Sequence, residues 1–289
     1  MNEQDQFRRF FFENLGIRGE IIHLTATFEA VRGTTDYPEP VANLLGQALA
    51  AVVLLGGNIK FQGSLILQIQ GPGPVTTLVA QTTHQLAVRG LAHWRGIPAG
   101  STLASSFGDG RLILTIQQDG RDPYQGIVAL EGCSLAHSLE NYFRQSEQLP
   151  TRLWLFADGR RAAGMLLQKL PGGESREEDW TRINCLADTL TRQELLSLPD
   201  EALLYRLFHE EHVRLLEPEP VVFRCSCSRA RIESVLLAMG SGEAGAILDT
   251  EGEIAVDCEF CNRHYRFDRV DVSALFRNAP AIKPMSTRH

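Results

Sequence analysis

The sequence predicts an α+β fold in three parts: an N-terminal mixed core domain over residues 1–170, an acidic helical linker over 171–220, and a small C-terminal four-cysteine domain over 221–289. Three observations predict it. Strand-like and helix-like stretches alternate irregularly through the first part, unlike the regular succession of a doubly wound parallel sheet. Charge is unevenly placed: residues 1–170 hold 14 basic and 14 acidic residues and residues 221–289 hold 9 of each, so the 5 basic and 12 acidic residues of 171–220 carry the whole net charge of -7. Four of the six cysteines crowd into the last quarter of the chain.

In the first part, Gly19 to Thr27 reads as a strand and Pro40 to Gly56 as a long, mostly buried helix with proline at its start. Ser64 to Ile69 and Val75 to Ala80 flank Gly71-Pro72-Gly73-Pro74 and read as a hairpin. Arg111 to Ile116 and Tyr124 to Leu130 make a second strand pair, with Gly108-Asp109-Gly110 read as a hairpin turn before it. Ser134 to Arg144 is an amphipathic helix capped by its serine, and Leu153 to Phe156 and Gly164 to Gln168 return to strand. Trp94, Trp154 and Trp180 are read as core or interdomain anchors.

The middle part reads as helical throughout, in three pieces: Glu174 to Leu190, Thr191 to Leu198 and Pro199 to His209. Thr191 and Glu194 match a capping box. Short, charged helices are held mainly by packing on a neighbour; a self-repelling acidic segment is a candidate for low local stability, although charge alone favours the plainer reading of a solvated helical face.

The chemistry is in Cys225-Ser226-Cys227 and Cys258-Glu259-Phe260-Cys261. Two close thiol pairs separated by thirty residues can converge on one tetrahedral Zn²⁺, so Cys225, Cys227, Cys258 and Cys261 are the predicted ligands of one zinc per chain. Four protein ligands close the site and leave no place for an activated water. Between the pairs, Ser228 to Met239 reads as a serine-capped helix; Glu253 to Val256 and His264 to Phe267 read as two strands with the second pair at their turn. A unit this small depends on its metal for much of its folding energy. Four thiolates on one Zn²⁺ leave a formal charge of -2, which Arg224, Arg229, Arg231, Arg263 and Arg266 can offset. Two readings follow. Zinc is an inert structural knob, or oxidation of the thiols expels it and removes roughly 10–16 kcal/mol of metal-coupled folding energy. Spacing alone does not choose between them.

Other features carry less. His209-Glu210-Glu211-His212 has its histidines three apart rather than the four of a zincin helix, and reads as a solvated helix end. Gly71-Pro72-Gly73-Pro74 lacks the lysine and following helix of a phosphate loop, and Ser105-Ser106 sits in no nucleophile elbow. Cys133 and Cys185 read as partly buried, inert thiols. No enzyme active site emerges. The net charge of -7 argues against a nucleic-acid binder driven by phosphate neutralisation. The start of the chain, MNEQDQFRRFFF, does not read as a secretory signal, and no run approaches 18 uninterrupted apolar residues; the expected location is the cytoplasm, away from membranes. Three alternatives stand beside the redox switch: an interaction scaffold with structural zinc, a zinc-ribbon nucleic-acid adaptor, and a thiol oxidoreductase using the Cys258–Cys261 pair.

Several strings resemble one family of redox-regulated holdase chaperones, the thirty-three-kilodalton heat-shock protein. They are Arg18-Gly19-Glu20, Asp36-Tyr37-Pro38 with Pro40-Val41, Tyr124-Gln125-Gly126-Ile127-Val128, Leu130-Glu131-Gly132, Ser146-Glu147-Gln148-Leu149-Pro150-Thr151-Arg152-Leu153 and Tyr205-Arg206-Leu207-Phe208-His209-Glu210-Glu211, besides the four-cysteine pattern. The resemblance implies a stress-response chaperone rather than an enzyme, zinc-bound and inactive when reduced. It implies disulfides Cys225–Cys227 and Cys258–Cys261 on oxidation, with zinc released, the linker destabilised, and unfolding client proteins held without ATP by a form that is commonly a homodimer. By position, residues 171–220 fall on the metastable linker. The expected mechanism has the zinc domain clamp that linker on the core, burying Leu186, Leu190, Leu195 and Leu204. Cys133 and Cys185 lie outside the implied switch.

Overall fold

The computed structural model describes residues 5–57, 62–130, 133–171 and 176–278. Its chain divides into two compact units, residues 1–224 and 225–289. In chain order the first unit contains β1 (Gln6–Phe12), β2 (Ile17–Leu24), α1 (Ala26–Arg32), α2 (Glu39–Gly56), β3 (Gly63–Gln70), β4 (Val75–Thr83) and β5 (Ala87–Trp94). Then come α3 (Leu103–Phe107), β6 (Arg111–Gln118), β7 (Tyr124–Ala129), α4 (Leu135–Tyr142), β8 (Thr151–Ala157) and β9 (Ala162–Lys169). Three helices follow, α5 (Glu177–Ala187), α6 (Arg192–Ser197) and α7 (Asp200–Phe208), and the unit ends in the short strands β10 (Val213–Leu215), β11 (Glu219–Pro220) and β12 (Val222–Phe223).

Two sheets sandwich α2. One runs β10-β1-β2-β9-β8, with β11 also on β1; the other runs β12-β5-β4-β3-β6-β7, and only the β12–β5 pair is parallel. Helix α2 is long and apolar enough to cross a membrane, but 78% of its apolar window is buried inside the protein. Ala48, Ala50 and Ala51 keep it slim enough to lie between sheets. At Gly46 a side chain would reach 2.7 Å from the Ala157 methyl on β8.

The sheet built on β1 and β2 is apolar on both faces, and its strands divide residues between them by parity. Phe7, Ile22, Leu24, Leu153 and Leu155 join the α2 core. Phe10, Phe12, Ile17, Ile21, Trp154 and Met165 face the other way. That second face is covered by α5, α6 and α7, through Trp180, Ile183, Leu190, Leu195, Leu204 and Phe208, with Leu186 partly buried beside them. Trp154 and Trp180 are thus core residues of this layer, and Trp94 packs half-buried on the α2 core.

The acidic segment does not stand alone electrostatically. Arg8 of β1 binds Glu201, Arg152 of β8 meets Asp188 at 2.6 Å, Arg9 binds Glu219, and within the segment Arg182 reaches Glu211 at 2.8 Å and Arg206 binds Glu194. Thr191 and Glu194 form the expected capping box.

Several expectations are corrected. The segment 171–220 is not helical throughout: β10 and β11 complete the sheet edge against β1. The strand read as Gly19 to Thr27 stops at Leu24, because the Asp5 carboxylate accepts from the backbone N–H groups of Thr25, Ala26 and Thr27 and starts α1 there. Gly108-Asp109-Gly110 is no hairpin turn; it leads out of α3, which Thr102 caps, into β6. Cys133 and Cys185 are exposed rather than partly buried, Cys133 lying just before the Ser134 cap and Cys185 on the outward side of α5. The helix start at Glu174, the break at Gly172-Gly173 and the string positions Glu131 and Gly132 lie outside the described residues.

The second unit contains α8 (Arg229–Met239), α9 (Ser241–Glu251), the hairpin β13 (Ile254–Asp257) and β14 (His264–Phe267), and α10 (Arg269–Asn278). Its core is small: Leu236, Ala244, Leu248, Ile254, Tyr265, Phe267 and Val272.

Candidate metal centre

The two cysteine pairs reach one point from two kinds of backbone. Cys225 and Cys227 lie in irregular chain directly before α8, where Ser228 caps the helix by accepting from the Arg231 N–H at 3.3 Å. The Arg231 guanidinium turns back to donate to the Ser226 carbonyl at 3.1 Å and its hydroxyl at 2.6 Å, which fixes the loop between the two thiols. Cys258 and Cys261 occupy the tight turn of the β13–β14 hairpin. The Cys258 carbonyl accepts from the N–H groups of Cys261 (3.1 Å) and Asn262 (2.7 Å), and the Cys258 N–H donates to the Arg263 carbonyl at 3.0 Å. Asn262 takes the left-handed conformation that closes this turn, φ 54°. The turn then aims backbone amides at sulfur: Phe260 donates to the Cys258 thiol and Arg263 to that of Cys261.

All four sulfurs lie within 4.8 Å of one another; Cys225 and Cys258 are 3.6 Å apart and Cys227 and Cys261 3.4 Å. Sulfurs at the corners of a tetrahedron with Zn–S of about 2.3 Å are about 3.8 Å apart. Electrostatics points the same way. Burial raises the Cys258 thiol, and burial with the neighbouring thiols pushes Cys261 up to about 12. Burial also raises Cys227, but hydrogen bonds from the Tyr265 hydroxyl and the other thiols outweigh it and bring this one down to about 7. Four sulfurs so close do not ionise together unless a cation joins them, and four soft donors in this geometry suit Zn²⁺. No other cluster of three or more His, Cys, Asp or Glu donors occurs among the described residues.

The predicted arginines divide. The Arg263 charge acts on Cys227 and Cys261. Arg229 lies over the Phe267 ring at 4.2 Å and is held by Glu233 and Asp271, while Arg266 is held by Glu253. Arg224 ends the first unit, its N–H donating to the Val88 carbonyl. The sequence reading missed Tyr265: its partner, Cys227, is 38 positions away, and only the hairpin brings the hydroxyl to sulfur. His209 ends α7 and is more than half exposed, as a solvated helix end requires.

A family model described as the Hsp33 protein matches residues 5–268. A 33 kDa chaperonin of Nitrosococcus oceani is 57% identical over 290 residues, covering 100% of both chains. One of Pseudomonas paraeruginosa is 48% identical over 297 residues, again over 100% of both. In three dimensions the fold is similar to that of a 33 kDa chaperonin (heat shock protein 33 homologue) of Thermotoga maritima, with a TM-score of 0.82 at 22% identity, covering 94% of this chain and 98% of that one. A family match across both units and 57% identity over the full length place the chain in the Hsp33 family.

Proposed function

We propose that the chain is a redox-regulated, ATP-independent chaperone that holds unfolding client proteins in the cytoplasm under oxidative stress, and is not an enzyme. The observation that carries the reading is the convergence of Cys225, Cys227, Cys258 and Cys261 within 4.8 Å in a unit whose own apolar core is small. Such a unit draws its folding energy from its metal. The reduced form binds one Zn²⁺ through these four thiolates and is silent. Two equivalents of peroxide take two electrons each, forming Cys225–Cys227 and Cys258–Cys261 disulfides, releasing zinc, and leaving water as the reduced product.

Loss of the metal unfolds the second unit. The last strand of the first unit is β12, whose two residues pair with β5 and are separated from Cys225 by Arg224 alone, and this edge frays from its C-terminal end. The acidic layer α5 to α7 is made of short helices held by their packing, and it loosens from the sheet. The face uncovered includes Phe10, Phe12, Ile21, Trp154 and Met165, an apolar surface on which exposed apolar segments of clients leave water. Two copies joined in a homodimer present a larger surface of the same kind.

The test follows aggregation of a heat-unfolded client by light scattering, with the protein zinc-loaded and reduced or treated with peroxide at mild heat. Zinc release is read in the same cuvette with a chromogenic chelator. Suppression of scattering that appears only with zinc loss is expected. Zinc held firmly, or lost without suppression, would reduce the site to a structural knob.

A further inference from the structure

The Tyr265 hydroxyl donates a hydrogen bond to the Cys227 sulfur at 3.1 Å. Its ring lies in the small core beside Phe267, and its residue is only 8% exposed, so the direction of the hydroxyl is set by packing. The Arg263 guanidinium also interacts with this hydroxyl, and since a guanidinium only donates, the phenolic hydrogen is left for the sulfur. The chain Arg263, Tyr265, Cys227 brings a side-chain donor to Cys227, whereas Cys258 and Cys261 receive backbone amides from their own turn.

We propose that Tyr265 is a positioning residue for the zinc centre: its hydroxyl retains the metal and shields the Cys227 sulfur from electrophiles. The inference rests on the reading of the cluster as a zinc site. A zinc-bound cysteine is already a thiolate, so the effect lies in its lone pairs and not in its protonation. A hydrogen bond occupies one lone pair and withdraws electron density, which lowers nucleophilicity. It also orients the ligand, and outer-shell partners of this kind typically contribute about 10–100-fold to metal affinity. Backbone amides survive substitution of a side chain. Of Cys227, Cys258 and Cys261, it is therefore Cys227 whose protection a single hydroxyl sets.

Tyr265→Phe tests this, because the ring and its packing remain and one oxygen is removed. Full-length wild type and Y265F are loaded with zinc under reductant, and zinc content and affinity are measured against a competing chelator. Both are then treated with limiting N-ethylmaleimide. In that reaction the sulfur lone pair forms a bond to one alkene carbon, the neighbouring carbon takes a proton from water, and the zinc–sulfur bond weakens. Peptide mass spectrometry gives the rate at each cysteine separately.

The expected result is zinc bound about ten-fold more weakly, with Cys227 alkylated several-fold faster and Cys258 and Cys261 changed little. A general loosening of the unit would speed all of the sulfurs equally, and that outcome overturns the proposal. So does an unchanged Cys227 rate in two proteins that both carry zinc. Failure of wild type itself to bind zinc would overturn the reading of the site, and the inference with it.

Discussion

The sulfur of Cys225 lies 3.6 Å from that of Cys258, a contact across the two pairs between residues 33 positions apart. Cys227 and Cys261 make the matching contact over 34 positions. Oxidation therefore has two outcomes with opposite mechanical consequences. Disulfides across the pairs would close loops of more than thirty residues and stabilise the unit by about 3–4 kcal/mol. Disulfides within the pairs, Cys225–Cys227 and Cys258–Cys261, close only very short loops and leave the two segments free to separate once zinc is gone. A switch that works by unfolding needs the second outcome. Digestion of the peroxide-treated protein followed by mass spectrometry should recover intra-pair bridges; dominant cross-pair bridges would contradict unfolding as the signal.

Replacing Cys258 with Ser removes a soft donor of the proposed zinc site, one that also packs against the core of the second unit. Zinc affinity should fall by orders of magnitude, since three thiolates and a poor oxygen donor no longer fill the tetrahedron. The variant should suppress client aggregation partially even in reductant. A C258S protein that binds zinc as wild type does and stays silent would sink the proposed link between metal and activity.

The cysteine cluster was legible in the sequence because its information is local: two short spacings, each of which a turn or an extended loop satisfies unaided. The Thr191–Glu194 capping box was legible for the same reason. What escaped was non-local. Strand β1 carries Arg8-Arg9 in its middle and shows no clean alternation, since both of its faces meet other layers. Strands β10 and β11, three and two residues long, exist only because β1 offers them an edge. Helix α9 contains Gly242 and Gly245, which lower its propensity, and it forms on the core of its unit. The charge count of 171–220 reads as self-repulsion because Arg8, Arg9 and Arg152, which meet its carboxylates, lie far away in sequence.

Phe208 meets the Phe12 ring edge-on at 4.9 Å, joining the end of α7 to the sheet face it covers. Phe208→Ala should cost the helical layer about 3–5 kcal/mol, the usual range for a buried phenylalanine. With the α2 core untouched, the loss should fall on the α5–α7 layer. The variant should therefore bind a hydrophobic dye and suppress aggregation while still carrying zinc. A protein destabilised throughout, with no gain of surface binding, would show that the layer does not separate from the core.

Acid should loosen the same layer. Glu201 is held below its ordinary value of 4.5 by the Arg8 guanidinium across the seam. Glu194 is held low first by the Thr191 backbone N–H and hydroxyl, and also by Arg206 from α7. A carboxylate with a depressed folded-state pKa adds stability that is fully present above the unfolded-state value and disappears as pH falls through the folded one. The contribution is thus intact at neutral pH and fades from about 4.5 downward. The Glu201 side chain is largely exposed and that of Glu194 partly so, and each effect is modest and should shrink in high salt. Trp180 of α5, buried where this layer packs on the sheet, offers a probe. Its fluorescence during denaturant unfolding should show a midpoint that drops in wild type between about pH 5 and about pH 3, as the two groups titrate. Glu201→Gln and Glu194→Gln together should lower the neutral-pH midpoint and flatten that slope. An unaltered slope in the double variant would assign the acid sensitivity to other carboxylates.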